Sequence, residues 1–120
     1  MATVLVVDDS VSMRQMVCVT LKGAGFNVVE AGDGQQALQK AQGGTFDLVL
    51  SDVNMPVMNG IDLVKSLRMM ATYKFTPILM LTTETGGDMK GAGKAAGATG
   101  WIVKPFNPDQ LLNTIKKVVR

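Results

Sequence analysis

Five short apolar runs, each breaking off at polar or turn-forming residues and alternating with segments of helical period, constrain this chain more than any other feature. Thr3–Val7 is a β-branched run that stops at Asp8 and Asp9, and Leu48–Leu50 runs into Ser51 and Asp52. Ile78–Thr82 ends on its own hydroxyl, Trp101–Val103 leads into Lys104, and Asn27–Ala31 is closed by the turn Gly32-Asp33-Gly34. Continuous apolar character, without alternation, marks strands covered on both faces. Between them the period changes. Met13, Met16, Val17, Thr20, Leu21 and Ala24 define one helical stripe, Ala37, Leu38 and Ala41 a second, and Ile61, Val64 and Leu67 a third. The last helix is announced by Asn107 as its cap and Pro108 in its first turn, with Leu111, Leu112, Ile115, Val118 and Val119 inward. Strand and helix alternate five times, which predicts an α/β fold: a five-stranded parallel sheet with helices on both faces, (βα)5. Residues 86–100 hold six of the 13 glycines, so the fourth helix is expected to be short and loosely held.

At 120 residues the chain is expected to form one domain over 1–120. A fold of this size keeps roughly 6,300 Å² accessible, about a third of what the unfolded chain exposes, so one core suffices without staples. Hydrophobic residues at 47% and charged residues at 18% exclude a disordered tail. Cys18 is the lone cysteine and histidine is absent. An internal disulfide, a Cys/His zinc site and a histidine-based triad are thereby excluded. Cys18 reads as a small helix residue in a reducing, cytoplasmic setting. No apolar stretch predicts a membrane span or a signal peptide. A net charge of +2, with no dense basic run, does not predict a nucleic-acid partner.

In open parallel sheets, ligands sit beyond the carboxyl ends of the strands. Asp8, Asp9, Asp52, Thr82 and Lys104 all stand at such ends. If the first and third strands are neighbours, three carboxylates converge, and like charges that close raise a pKa or recruit a cation. A divalent ion with oxygen ligands answers that requirement, and Mg²⁺ suits few protein ligands plus water. Asp9 is expected to bind it directly and Asp8 through water. Carboxylate, metal, ammonium and hydroxyl together suit phosphoryl transfer, with Asp52 as nucleophile. One aspartate after a strand is more often a cap or turn residue; the joint placement of five groups is what favours a site.

The segments Val6-Val7-Asp8-Asp9-Ser10, Ser51-Asp52-Val53-Asn54-Met55-Pro56-Val57-Met58-Asn59-Gly60, Leu81-Thr82-Thr83-Glu84 and Gly100-Trp101-Ile102-Val103-Lys104-Pro105-Phe106 occur in this order. In them the chain resembles the response-regulator receiver domains, and most closely the single-domain, CheY-type members that serve chemotaxis. The resemblance covers the whole chain. It implies the flavodoxin-like strand order 2-1-3-4-5 and phosphorylation of Asp52 by a partner histidine kinase of CheA type. It implies a Mg²⁺ site in which the backbone carbonyl of Asn54 joins Asp9 and Asp52, and a cis Lys104-Pro105 bond. Thr82 and Trp101 correspond to the switch positions, and Asn54 and Glu84 to positions that tune hydrolysis of the phosphoryl group. Trp101 stands where the family usually has Tyr or Phe, and Thr83 where CheY has alanine. Both departures concern output, not phosphorylation.

The resemblance further implies that the face of the fourth helix, fifth strand and fifth helix, carrying Lys90, Lys94, Lys116 and Lys117, binds an output protein such as the flagellar motor switch. A phosphatase is a further implied partner. The expected protein is a cytoplasmic monomer, not an enzyme beyond its own phosphorylation and dephosphorylation. The alternatives are a phosphate-sink receiver or one in a non-flagellar chemosensory pathway. A metal-dependent aspartyl phosphatase would need a cap and Asp-x-Asp after the first strand, where this chain has an adjacent pair. A flavodoxin-like cofactor binder would need a phosphate loop where the two aspartates stand.

Overall fold

In the computed structural model, which describes residues 2–53, 58–82, 91, 94–104 and 107–119, the chain alternates strand and helix as expected. The strands are β1 (Thr3–Val7), β2 (Asn27–Ala31), β3 (Leu48–Asp52), β4 (Ile78–Thr82) and β5 (Gly100–Val103). The helices are α1 (Val11–Gly23), α2 (Gly34–Gly43), α3 (Gly60–Arg68) and α5 (Pro108–Val118), with helical backbone at 91 and 94–96 for α4. All four strand pairs are parallel, in the order β2-β1-β3-β4-β5.

Alternation along each strand splits the core into two layers. Val4, Val6, Leu48, Leu50, Leu79, Leu81 and Ile102 meet Val17, Cys18 and Leu21 of α1 and Leu111 and Ile115 of α5. Leu5, Val7, Val49, Ile78 and Met80 meet Ala37 and Ala41 of α2 and Leu63, Val64 and Leu67 of α3, with Ala96 and the partly buried Trp101 on the same side. The accessible surface is 6156 Å², close to the expectation from size.

Several local boundaries differ from the sequence-based expectation. β3 extends through Ser51 and Asp52, because β4 continues to pair with it there. Asp33 is the N-cap of α2 and not the middle of a free turn; its carboxylate accepts the Gln36 amide at 2.8 Å. Ala24 caps α1 from outside the helix and is exposed, while Cys18 takes a place in the buried stripe. Leu63 is buried with Val64 and Leu67, beyond the three residues expected to face inward. Asn107 caps α5 reciprocally with Gln110, as its sequence signals. A 3₁₀ turn, Ala71–Tyr73, follows α3 and buries Tyr73 completely, its phenol facing the carbonyls of Ala41 at 2.8 Å and Gly44 at 2.7 Å. Burial, then the charge of Glu30, pushes the Cys18 thiol up to about 11, so it is no redox centre.

The register positions the site. Val7 pairs with Ser51, Asp52 with Leu81, and Thr82 with Val103. Asp8 thus leaves the sheet level with Asp52. Lys104 emerges two residues further along, roughly 7 Å at a strand's rise, from where a lysine can reach back over both.

Candidate functional site

Asp8 is buried and held from several sides. Its amide donates to the carbonyl of Ala31 at 3.2 Å, and its Oδ1 accepts the Ser10 amide at 2.9 Å, at the entrance to α1. Asp52 is also buried; its carbonyl oxygen accepts the Ser51 hydroxyl at 2.9 Å. The Lys104 ammonium lies 3.3 Å from Asp52 Oδ1 and 3.5 Å from Asp8 Oδ2, so one cation serves two buried carboxylates. Asp9 is exposed, yet carboxylate oxygens of Asp8, Asp9 and Asp52 lie within 4.8 Å of one another.

These oxygens fit a small hard cation. Three carboxylates against one ammonium leave a negative excess that a divalent ion with oxygen ligands would offset. Burial is the main reason the Asp52 carboxyl titrates above its ordinary range; Lys104 opposes that effect and Asp8 adds to it. Because the folded-state pKa is raised, this group's contribution to stability is present below its ordinary value of 3.8 and lost as pH rises through the elevated one. Without divalent cations, Asp52→Asn is therefore expected to resist urea better than the parent protein near neutral pH. The difference should shrink as the pH falls toward the ordinary aspartate range, which urea titrations at several pH values would check.

Thr82 is fully buried at the end of β4, and its carbonyl accepts the Lys104 amide at 2.7 Å, tying the lysine's backbone to that strand. Trp101 is half-buried on β5 between two hollows. One of about 540 Å³ is lined by Lys104, Gln110, Asn113, Thr114 and Lys117, and one of about 410 Å³ by Gly91, Lys94, Ala98 and Thr99. Lys94, Lys116 and Lys117 are exposed. Asn54, Glu84, Thr83, Lys90 and Pro105 lie outside the described residues.

Asp8, Asp9, Asp52 and Lys104 thus converge as their strand-end positions predict. Two contributors were not foreseen. Ser10 acts through its backbone amide, which no residue type announces. Gly60 lets α3 start against β3: a Cβ there would stand 2.2 Å from the Asp52 carbonyl oxygen and 2.6 Å from Met80 Cε.

A parallel α/β sheet that gathers three aspartates and a lysine at its carboxyl edge defines a class of acidic pockets suited to a small divalent cation. The model of the response regulator receiver domain matches residues 4–116. The chain is 40% identical over 116 residues to the chemotaxis protein CheY of Pseudomonas aeruginosa, covering 96% of this chain and 94% of that one. It is 41% identical to the chemotaxis protein CheY-3 of Vibrio cholerae, covering 96% and 89%. The crystal structure of Vibrio cholerae CheY4 superposes with a TM-score of 0.97 at 61% identity, covering 99% of both chains. The chain belongs to the response-regulator receiver domain family and is a CheY-type receiver.

Proposed function

We propose that Asp52 is the phosphoryl acceptor of a two-component signalling pathway in chemotaxis, loaded by a histidine kinase of CheA type. The observation that supports this best is the sharing of Lys104 between two buried carboxylates, with Asp9 beside them. A carboxylate oxygen of Asp52 attacks the phosphorus in line; the new O–P bond forms as the P–N bond to the donor imidazole breaks, and the imidazole leaves with that electron pair. Lys104, already 3.3 Å from Asp52, offsets charge on the transferred group. Asp9 and Asp52 would hold Mg²⁺ directly, Asp8 through water, and the Asn54 carbonyl would complete the protein ligands. Bound there, the ion supplies positive charge to the phosphoryl oxygens.

The Thr82 hydroxyl then gains a phosphoryl oxygen as acceptor, and Trp101 moves between the hollows on its two sides. The surface of α4, β5 and α5, with Lys94, Lys116 and Lys117, changes accordingly and binds an output protein, the flagellar motor switch being the reading we favour. The group can shift this equilibrium only by its differential contacts in the two states. Asn54 and Glu84 would set how fast the phosphoryl group is lost, alone or with a phosphatase. The protein would work in the cytoplasm as a monomer and turn over no substrate other than its own acyl phosphate.

The test uses acetyl phosphate as donor and intact-mass measurement as readout. One phosphoryl group per chain is expected in Mg²⁺, mapped to Asp52, and none with a chelator or in Asp52→Asn. Unmodified protein in Mg²⁺, or a phosphoryl group on another residue, would overturn the assignment.

A further inference from the structure

The arginine in the first turn of α1 is spent in an unusual direction. Arg14 Nη1 donates to the backbone carbonyl of Asp8 at 2.7 Å, and its Nε donates to Glu30 Oε1 on β2 at 3.0 Å. The carbonyl of Asp8 and the amide of Asp9 belong to one rigid peptide plane. A donor fixed on that oxygen therefore fixes the plane from which the Asp9 side chain departs. The rest of Asp8 is held independently, by Ala31 on its amide, by Ser10 on Oδ1 and by Lys104 on Oδ2. Asp9 is exposed and takes its orientation from the peptide planes on its two sides, one held by Arg14 and the other by the Ser10 amide on Asp8.

Glu30 gives the guanidinium its direction. The arginine side chain is 19% exposed, and the space beside it is a hollow of about 320 Å³ lined also by Gly32, Gln36 and Lys40. A single ion pair that is still partly open to solvent contributes modestly to stability, so global folding alone does not account for this arrangement. Its geometry does. A planar fork holds the carbonyl with one nitrogen and the carboxylate with another in one fixed plane, whereas an ammonium donates from a single point that turns freely.

We propose that Arg14, aimed by Glu30, is a positioning residue for Asp9: it sets the Asp8–Asp9 peptide plane and so the affinity of the acidic pocket for Mg²⁺. The proposal rests on the metal reading given above. Its sign separates it from a simple charge effect. Arg14 is a cation beside a cation site, so removing its charge alone would strengthen Mg²⁺ binding. Loss of positioning weakens it, on the order of tenfold by the precedent of residues that orient metal ligands.

Calorimetric titration of the full chain with Mg²⁺ is the test, alongside urea unfolding in metal-free buffer. Arg14→Gln is expected to weaken Mg²⁺ binding about tenfold with little change in metal-free stability, and Arg14→Lys to fall between it and the parent. Glu30→Gln should weaken binding about threefold in the parent and add nothing in the Arg14→Gln background. Unchanged or tighter binding in Arg14→Gln would overturn the proposal, as would a full additional effect of Glu30→Gln in that background. Parent protein that binds no Mg²⁺ would overturn the metal reading itself and the proposal with it.

Discussion

Lys104→Met is expected to lose on the order of 3 kcal/mol of stability in metal-free buffer near neutral pH, and to regain most of it when Mg²⁺ is added. The lysine is the cation 3.3 Å from Asp52 and 3.5 Å from Asp8, and both carboxylates are buried. Methionine keeps the length of the stem and removes the charge, leaving two buried like charges with Asp9 close by. Such groups ionise reluctantly, so the deficit should narrow as the pH falls and the carboxyls protonate. A divalent cation replaces the missing charge, and binding to the folded state stabilises it by mass action, rising with the logarithm of Mg²⁺ concentration above the dissociation constant. Urea unfolding with and without Mg²⁺ reads both effects. A loss below about 1 kcal/mol with no Mg²⁺ dependence would mean that the carboxylates are solvated and the pocket is not a cation site.

Gly60→Ala is expected to cost about 3 kcal/mol and to disturb the site more than its distance along the chain suggests. The added carbon would stand 2.2 Å from the carbonyl oxygen of Asp52 and 3.0 Å from Val53 Cα, and these are backbone atoms that cannot swing aside. The Gly60 amide donates to the Val53 carbonyl at 2.8 Å, so α3 is tied to the end of β3 at the very place where the clash falls. Either the helix start moves away or Asp52 does. Urea unfolding measures the first consequence and Mg²⁺ affinity the second. Parent-like values in both would show that the close approach is relaxed in solution. Gly23, with open space around its Cβ position, is the control, where alanine should be near neutral or stabilising.

The five strands and the polar residues at their ends were legible because chain order alone decides which residue follows a strand. Asp8, Asp52, Thr82 and Lys104 needed nothing more. Their convergence required the order β2-β1-β3-β4-β5, which periodicity does not carry and which entered through the resemblance. What was missed acts through backbone. The Ser10 amide on Asp8, the Arg14 fork on the Asp8 carbonyl and the bare Gly60 against Asp52 involve groups that every residue has, or a side chain that is absent. Tyr73 was missed for a related reason. It lies in a short 3₁₀ turn without apolar periodicity, and it is buried because its phenol closes the carbonyls at the end of α2 and just beyond. The helical stripe of α1 was legible in period but not in detail: Cys18 is buried although the stripe did not include it, and Ala24, which it did include, is an exposed cap.

The most direct test of the central claim is the fluorescence of Trp101, the chain's one tryptophan, during titration with Mg²⁺ and then with beryllofluoride. The account predicts a change with Mg²⁺, a second change when the phosphoryl mimic is added, and loss of the second in Asp52→Asn. Folded protein whose Trp101 emission responds to neither would contradict it, because a pocket that holds the phosphoryl group between Lys104 and Thr82 cannot leave the adjoining strand unmoved.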